Sequence, residues 1–340
     1  MPAEWERHEA TWLAWPHRVS DWPGRFGPIP WVYGEMVRKI AAGETVRIIV
    51  TTTRHEAQAR RVLAKVGADL TRVEFFRWPL DRGWTRDMGP LFVKKRGQVA
   101  IVRFRFNGWA KYPDHRNDDK VPERAAKALG LDLRPVLHQG TPVVLEGGAI
   151  DVNGRGTLLT TEECLLDPVV QVRNPGLGQE DLERVLDAAL GARNVVWLGR
   201  GIAGDDTHGH VDDVCRFVSP GRVVLCQERD PGDANYQALA ECRERLQDAR
   251  LEDGSRLEVV PLPMPRPLVF NRMRLPASYA NFYIANAAVI VPTFNDAADR
   301  EALGILAELF TDRPVVGIHA VDLVWGLGTL HCLTQQQPAA

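Results

Sequence analysis

Along the chain, apolar positions alternate with polar ones, break at a turn pair, shift to helical spacing and end in a short apolar run. Residues 147–161 read as a β-hairpin turning at Asn153-Gly154. A helix over 179–190 and a strand over 194–198 follow it. Residues 210–227 repeat the hairpin, turning at Pro220-Gly221, with a helix over 233–248 and a strand over 257–262. The hairpin at 279–293 leads to a helix over 297–310 and a strand over 314–318. Earlier, the hairpin 87–106 turns through Arg96-Gly97 and precedes a helix near 121–129 and a short strand near 133–137. A fifth copy closes if the C-terminal strand 330–335 pairs with the N-terminal strand 11–15. The helix 31–42 and the strand 46–50 complete it.

Units of roughly 50 to 70 residues, one of them shared by the two termini, predict an α/β protein built as a closed ring of blades. The ring takes in the whole chain, 1–340, as one domain. The copies share negligible sequence identity, so the expectation rests on element order. The competing architecture is an open doubly wound α/β sheet. Hairpins argue against it, because neighbouring parallel strands need crossover helices between them.

Composition changes this picture little. Of the 340 residues 45% are hydrophobic and 25% charged, the balance of an ordinary globular protein with a sizeable core. A net charge of −2 argues against a nucleic-acid partner, which usually calls for a basic excess. The opening MPAEWERHEATW lacks the basic-then-apolar order of a signal peptide. No uncharged apolar stretch approaches the roughly 18 residues that span a membrane. Cys164, Cys215, Cys226, Cys242 and Cys332 are an odd number of widely spaced thiols. That disfavours both a disulfide framework and a structural zinc site, and fits thiols in a reducing cytoplasm.

Polar clusters stand at the start of the predicted hairpins. They are Trp84-Thr-Arg-Asp87, Glu146-Gly-Gly148, His208-Gly-His210-Val-Asp212 and Leu330-His-Cys332. In a ring, equivalent places in the repeat converge on the axis, so four blades aim a reactive group at one point. On regular strands, alternation puts His210 and Asp212 on one face and turns Val211 and Asp213 away. It also separates His331 from Cys332, which makes His331 structural if Cys332 is the nucleophile. Taken singly, each has a plainer reading. Cys332 is a small core residue, Glu146-Gly-Gly148 a tight turn, Asp87 a surface ion pair with Arg86, and His210 a satisfied core histidine. The joint pattern favours chemistry.

The segments EWERHEATWLAWP, WTRDMGP, EGGAIDVNGRGTLLTTEECLL, GHVDD and LHCLTQQQP closely resemble the agmatine deiminase family, which also holds the bacterial-type peptidylarginine deiminases. The resemblance runs in order from Trp5 to Pro338. It implies the five-bladed α/β-propeller (pentein) fold of the guanidino-group-modifying enzymes. It also implies Cys332 as nucleophile and His210 as general acid and base. Asp87 and Asp212 would hold the guanidinium, Glu146 would position His210 and the guanidinium, and Trp84 would wall the pocket. The chain departs from the agmatine deiminase pattern at Leu327-Gly328-Thr329, where Gly-Gly-Asn is usual, and at His208-Gly209, where Asn-Gly is usual. Both departures flank the chemistry and bear on the substrate's far end, with Thr329 a candidate contact.

A guanidinium is planar and charged, so paired carboxylates match it. Attack on its central carbon needs a thiolate, favoured by the substrate's own charge and by a protonated His210. These steps call for no cofactor and no metal. The partner expected is a small cationic guanidino compound, agmatine before free arginine, yielding N-carbamoylputrescine and ammonia. Trp84 and Trp109 would pack its alkyl chain, and no Arg or Lys but Arg86 stands within the four polar clusters to meet a substrate carboxylate. Three rivals remain: a zinc metallohydrolase using His208, His210 and Asp212, whose run resembles HxHxDH with Asp213 in the last place; an amidinotransferase on the same fold; and a non-catalytic binding module. Exposed apolar helical faces are compatible with a homodimer.

Overall fold

The computed structural model describes residues 1–340. Five sheets share one internal plan, an antiparallel pair extended by a parallel third strand. Leu91–Lys95 and Gln98–Arg103 form such a pair, with Leu133–Pro135 parallel to the second strand. Asp151–Val152, Thr157–Thr161 and Asn194–Leu198 repeat it. So do Cys215–Ser219, Arg222–Gln227 and Glu258–Pro263, and Tyr283–Ile284, Val289–Thr293 and Val315–His319. In the fifth sheet the pair comes from opposite ends of the chain. Thr334–Pro338 runs antiparallel to His8–Ala14, with Leu13 opposite Thr334 and Trp12 opposite Gln335. Thr45–Val50 lies parallel on the other side, and Val73–Arg77 extends the sheet by a fourth strand.

The helices that link second to third strands are amphipathic. Gln179–Leu190 buries Leu182, Val185, Leu186 and Leu190, and ends at Gly191, whose φ of 73° is a left-handed conformation that suits glycine. Val121–Leu129 stops the same way at Gly130. The helix Thr53–Lys65 and the strand Val73–Arg77 have no counterpart in the expected repeats. One apolar core runs from Trp12 to Leu333 and includes Cys332. A second lies around Phe104, Ile150, Leu158 and Leu186. No helix is long and apolar enough to cross a membrane. All five cysteines are free and buried.

The structure corrects the expected strand starts. The polar clusters do not lie on regular strands but on single helical turns that precede them: Thr85–Met88, Gly147–Ala149 and Val211–Asp213. The C-terminal strand likewise begins at Thr334, after a turn that holds Cys332. The period-two argument therefore does not apply there. Asp213 is not turned away from Asp212; the two carboxylates gather with the Cys332 sulfur, one atom of each within 4.8 Å of the others.

Candidate active site

Two of these turns deliver Asp87 and Cys332 to the wall of a cavity of about 290 Å³. Trp84 and Trp109 line it with them, and Cys332 is 6% exposed. The Asp87 carboxylate is fixed from two sides, by the Trp109 indole N–H at 2.9 Å and the Gly148 backbone N–H at 3.0 Å. Only glycine fits at 148. A Cβ there would come within 2.5 Å of His210 Nδ1 and 2.8 Å of Asp87 Oδ1. Burial pushes the Asp87 carboxyl up to about 6, and Asp212 and Glu146 add to that against the pull of His210.

His210 stands between two carboxylates, its Nδ1 3.8 Å from Asp87 and its Nε2 3.7 Å from Glu146. Both separations suit ion pairs and exceed hydrogen-bond length. Burial works against its charge, but Asp87, Cys164 and Glu146 hold the imidazole well above its ordinary value. Glu146 receives Arg173 Nε at 3.3 Å, both side chains being fully buried. Burial opposes its charge too, yet Arg173 and His210 bring the carboxyl down to about 2. Cys164 approaches the same two groups, one donor atom of each of Glu146, Cys164 and His210 lying within 4.8 Å of the others.

On the other side, Asp212 Oδ2 lies 3.7 Å from Cys332 Sγ and 2.7 Å from His331 Nδ1. His331 does not enter the cavity. Its Nε2 reaches Glu4 at 2.8 Å, and Glu4 in turn meets Arg216 at 3.0 Å and Arg86 at 3.2 Å. Arg86 thus points away from Asp87 and toward Glu4. Burial first, then Asp212, Asp213 and Asp87, push the Cys332 thiol well above its ordinary value. These neighbours favour the thiol over the thiolate.

Asn281 completes the floor. Its side-chain amide donates to Cys332 Sγ at 3.1 Å and to Asp213 at 3.0 Å. Its carbonyl accepts the Thr329 hydroxyl at 2.7 Å and the His331 N–H at 3.1 Å. Thr329 is fully enclosed on this bond and is absent from the cavity wall. Sequence reasoning passed over Asn281, although it stands just before the strand Tyr283–Ile284, the one hairpin start that had been assigned no reactive group. Arg173 and Glu4 were passed over as well; Glu4 opens the segment EWERHEATWLAWP, while no motif signals Arg173. Arg18 and Arg82, which lie outside the polar clusters, also line the cavity, so basic groups other than Arg86 do stand there.

The three residues of the zinc alternative turn to different partners. His208 Nε2 meets Asp167 at 2.9 Å, His210 faces Asp87 and Glu146, and Asp212 binds His331. They form no common ligand set.

Comparison with known proteins defines the class, hydrolases that act on C–N bonds of linear amidines. The chain belongs to the Porphyromonas-type peptidyl-arginine deiminase family, whose model matches residues 1–338. It is 36% identical to an agmatine deiminase of Pseudomonas aeruginosa, over 100% of this chain and 95% of that protein. A solved agmatine deiminase of Enterococcus faecalis superposes with a TM-score of 0.90 at 31% identity, covering 100% of this chain and 95% of that one. An amidinotransferase from Microseira wollei superposes with a TM-score of 0.52 at 13% identity, over 100% and 96% of the two chains, and so shares the α/β fold alone.

Proposed function

We propose that the protein hydrolyses a small guanidino compound, agmatine first, to N-carbamoylputrescine and ammonia. One observation carries the reading. Glu146 Oε2, both ring nitrogens of His210 and Asp212 Oδ1 are buried without a hydrogen-bond partner around the Cys332 sulfur. Unmet buried polar atoms are costly, and a guanidinium supplies planar N–H donors that satisfy the acceptors among them. The names of the 36–37% identical relatives support agmatine as the substrate.

In this reading Asp87 and Asp212 hold the guanidinium so that its central carbon faces Cys332. The arriving cation offsets the carboxylates that keep the sulfur protonated, and the thiolate forms. Sulfur bonds to the carbon, His210 gives a proton to one nitrogen, and that C–N bond breaks to release ammonia. The S-alkylthiouronium left on Cys332 is attacked by a water that neutral His210 deprotonates. The C–S bond then breaks, giving the ureido product and the thiolate. Glu146, anchored by Arg173, holds His210. Trp84 and Trp109 flank the alkyl chain.

The five like sheets and the terminal strands joined in one of them support a five-bladed propeller closed as a single domain. Five free buried thiols suit the cytoplasm. Ammonia release from agmatine, free arginine and a blocked arginyl peptide tests the function. Preference for arginine or the peptide would transfer the activity to arginine or peptidylarginine deimination with the same chemistry. Transfer of the amidino group to an added amine would make the protein an amidinotransferase.

A further inference from the structure

The outer half of the cavity is built from groups that the chemistry at Cys332 does not use. Arg82 is fixed there through its backbone, since the N–H groups of Asp81 and Arg82 both donate to the Asp118 carboxylate, at 2.8 and 2.9 Å. Its guanidinium lies over the Tyr112 ring, 4.0 Å from the centroid. The terminal nitrogens reach Asp21 and Asp114 at 3.3 Å each, and Nε is buried with no acceptor. Arg18 shares the same two carboxylates, 3.7 Å from Asp21 and paired with Asp114. The remaining rim carboxylate, Asp206, is taken by Lys111 Nζ at 2.6 Å and the Tyr112 hydroxyl at 2.7 Å.

The rim is therefore asymmetric toward ligands. Arg18, Arg82 and Lys111 balance Asp21, Asp114 and Asp206, so no carboxylate is left without a cation, while one arginine N–H is left without an acceptor. A substrate ammonium has to displace a resident cation. A substrate carboxylate meets, on the cavity wall, a preorganised Arg82 guanidinium whose buried Nε has no acceptor. Burial pushes Asp21 up to about 6, which weakens its hold on the two arginines as the pH falls toward that value.

We infer that the protein also deiminates ω-guanidino carboxylates, in which a guanidinium and a carboxylate cap the two ends of a short alkyl chain, with Arg82 and Arg18 taking the carboxylate. The inference rests on the deiminase reading above and widens its substrate class. The reaction balances in the same way: one water is consumed, one C–N bond breaks, and ammonia and an ω-ureido acid are formed.

The test compares 4-guanidinobutanoate with agmatine, whose carbon chains have equal length. The wild-type enzyme should release ammonia from both. Arg82→Gln should lower the kcat/KM ratio of 4-guanidinobutanoate to agmatine by about tenfold or more, the scale of one lost charge-assisted hydrogen bond. Arg82→Lys, which keeps the charge, should lower it less. An unchanged ratio in Arg82→Gln, or wild-type turnover of agmatine alone, overturns the inference and leaves the deiminase reading standing. Turnover of neither compound overturns both.

Discussion

The side-chain amide of Asn281 donates to the sulfur of Cys332 at 3.1 Å, while its carbonyl holds the backbone of the adjoining turn. One residue thus both stabilises a thiolate and sets where the sulfur points. Asn281→Asp keeps the size and replaces the donor by an oxygen. It should lower kcat/KM on agmatine by about a hundredfold, comparable to losing a preorganised donor to a developing anion. A variant that melts like wild type and keeps its rate would remove Asn281 from the chemistry.

Cys332→Ala should abolish turnover without unfolding the protein, since the chemistry is assigned to that one thiol. Ammonia release at the wild-type rate would sink the mechanism. Because Cys164 touches the His210 environment, Cys164→Ala should disturb the rate more than Cys226→Ala, whose thiol bonds only Ser278 and the Asp213 backbone. Steady-state rates of the two variants check this.

His210 is given both proton transfers, so His210→Ala should slow formation and hydrolysis of the thiouronium alike. Intact-protein mass spectrometry after mixing with agmatine should find the amidino adduct on Cys332. Full activity in this variant would contradict the assignment.

The acid limb of the pH profile should belong to Asp87. Its carboxyl is raised to about 6, so it is neutral below that value and ionised above it. A neutral carboxyl cannot pair with a guanidinium. Hence kcat/KM, which reports the free enzyme, should fall as pH drops through about 6. A profile flat down to pH 5 would exclude Asp87 from the clamp. The Cys332 thiol, raised by burial and three carboxylates, should show thiolate absorbance only in alkaline solution until a substrate is bound.

Arg173 and Glu146 form a fully buried pair. Arg173→Met leaves the Glu146 carboxylate beside His210 alone and should destabilise the fold by about 3 kcal/mol. Adding Glu146→Gln to that variant removes the stranded charge and should recover much of the melting temperature without recovering activity. Chemical denaturation of the single and double variants measures this.

The repeated sheets were legible because turn pairs such as Asn153-Gly154 and apolar alternation are local signals. Pairing of the two termini was legible from the count of elements, though the last strand begins four residues later than expected. Thr53–Lys65 was not, because its charged sequence buries only one face thinly. Asp87, Glu146, His210, Asp212 and Cys332 do come close, Asp87 and Cys332 on the cavity wall and the others behind them, yet not for the reason alternation offered: turns, not strands, present them. Asn281 carries no charge and sits in an apolar run, so only its place in the repeat marked it. Arg18 and Arg82 reach the cavity from loops outside every motif, a relation that only the folded chain creates.

The pairing of His8–Ala14 with Thr334–Pro338 also orders events in time. During synthesis the N-terminal strand emerges early, and its antiparallel neighbour emerges last. Cys332 and His331 sit just ahead of that late strand; Asn281 and Asp212 wait for the first, and Glu4 for the second. A nascent chain can assemble the other four sheets, but the reactive centre is finished only after translation has passed the strand Thr334–Pro338. Contacts of such long sequence separation slow folding, so acquisition of activity should lag behind acquisition of helix in refolding from denaturant.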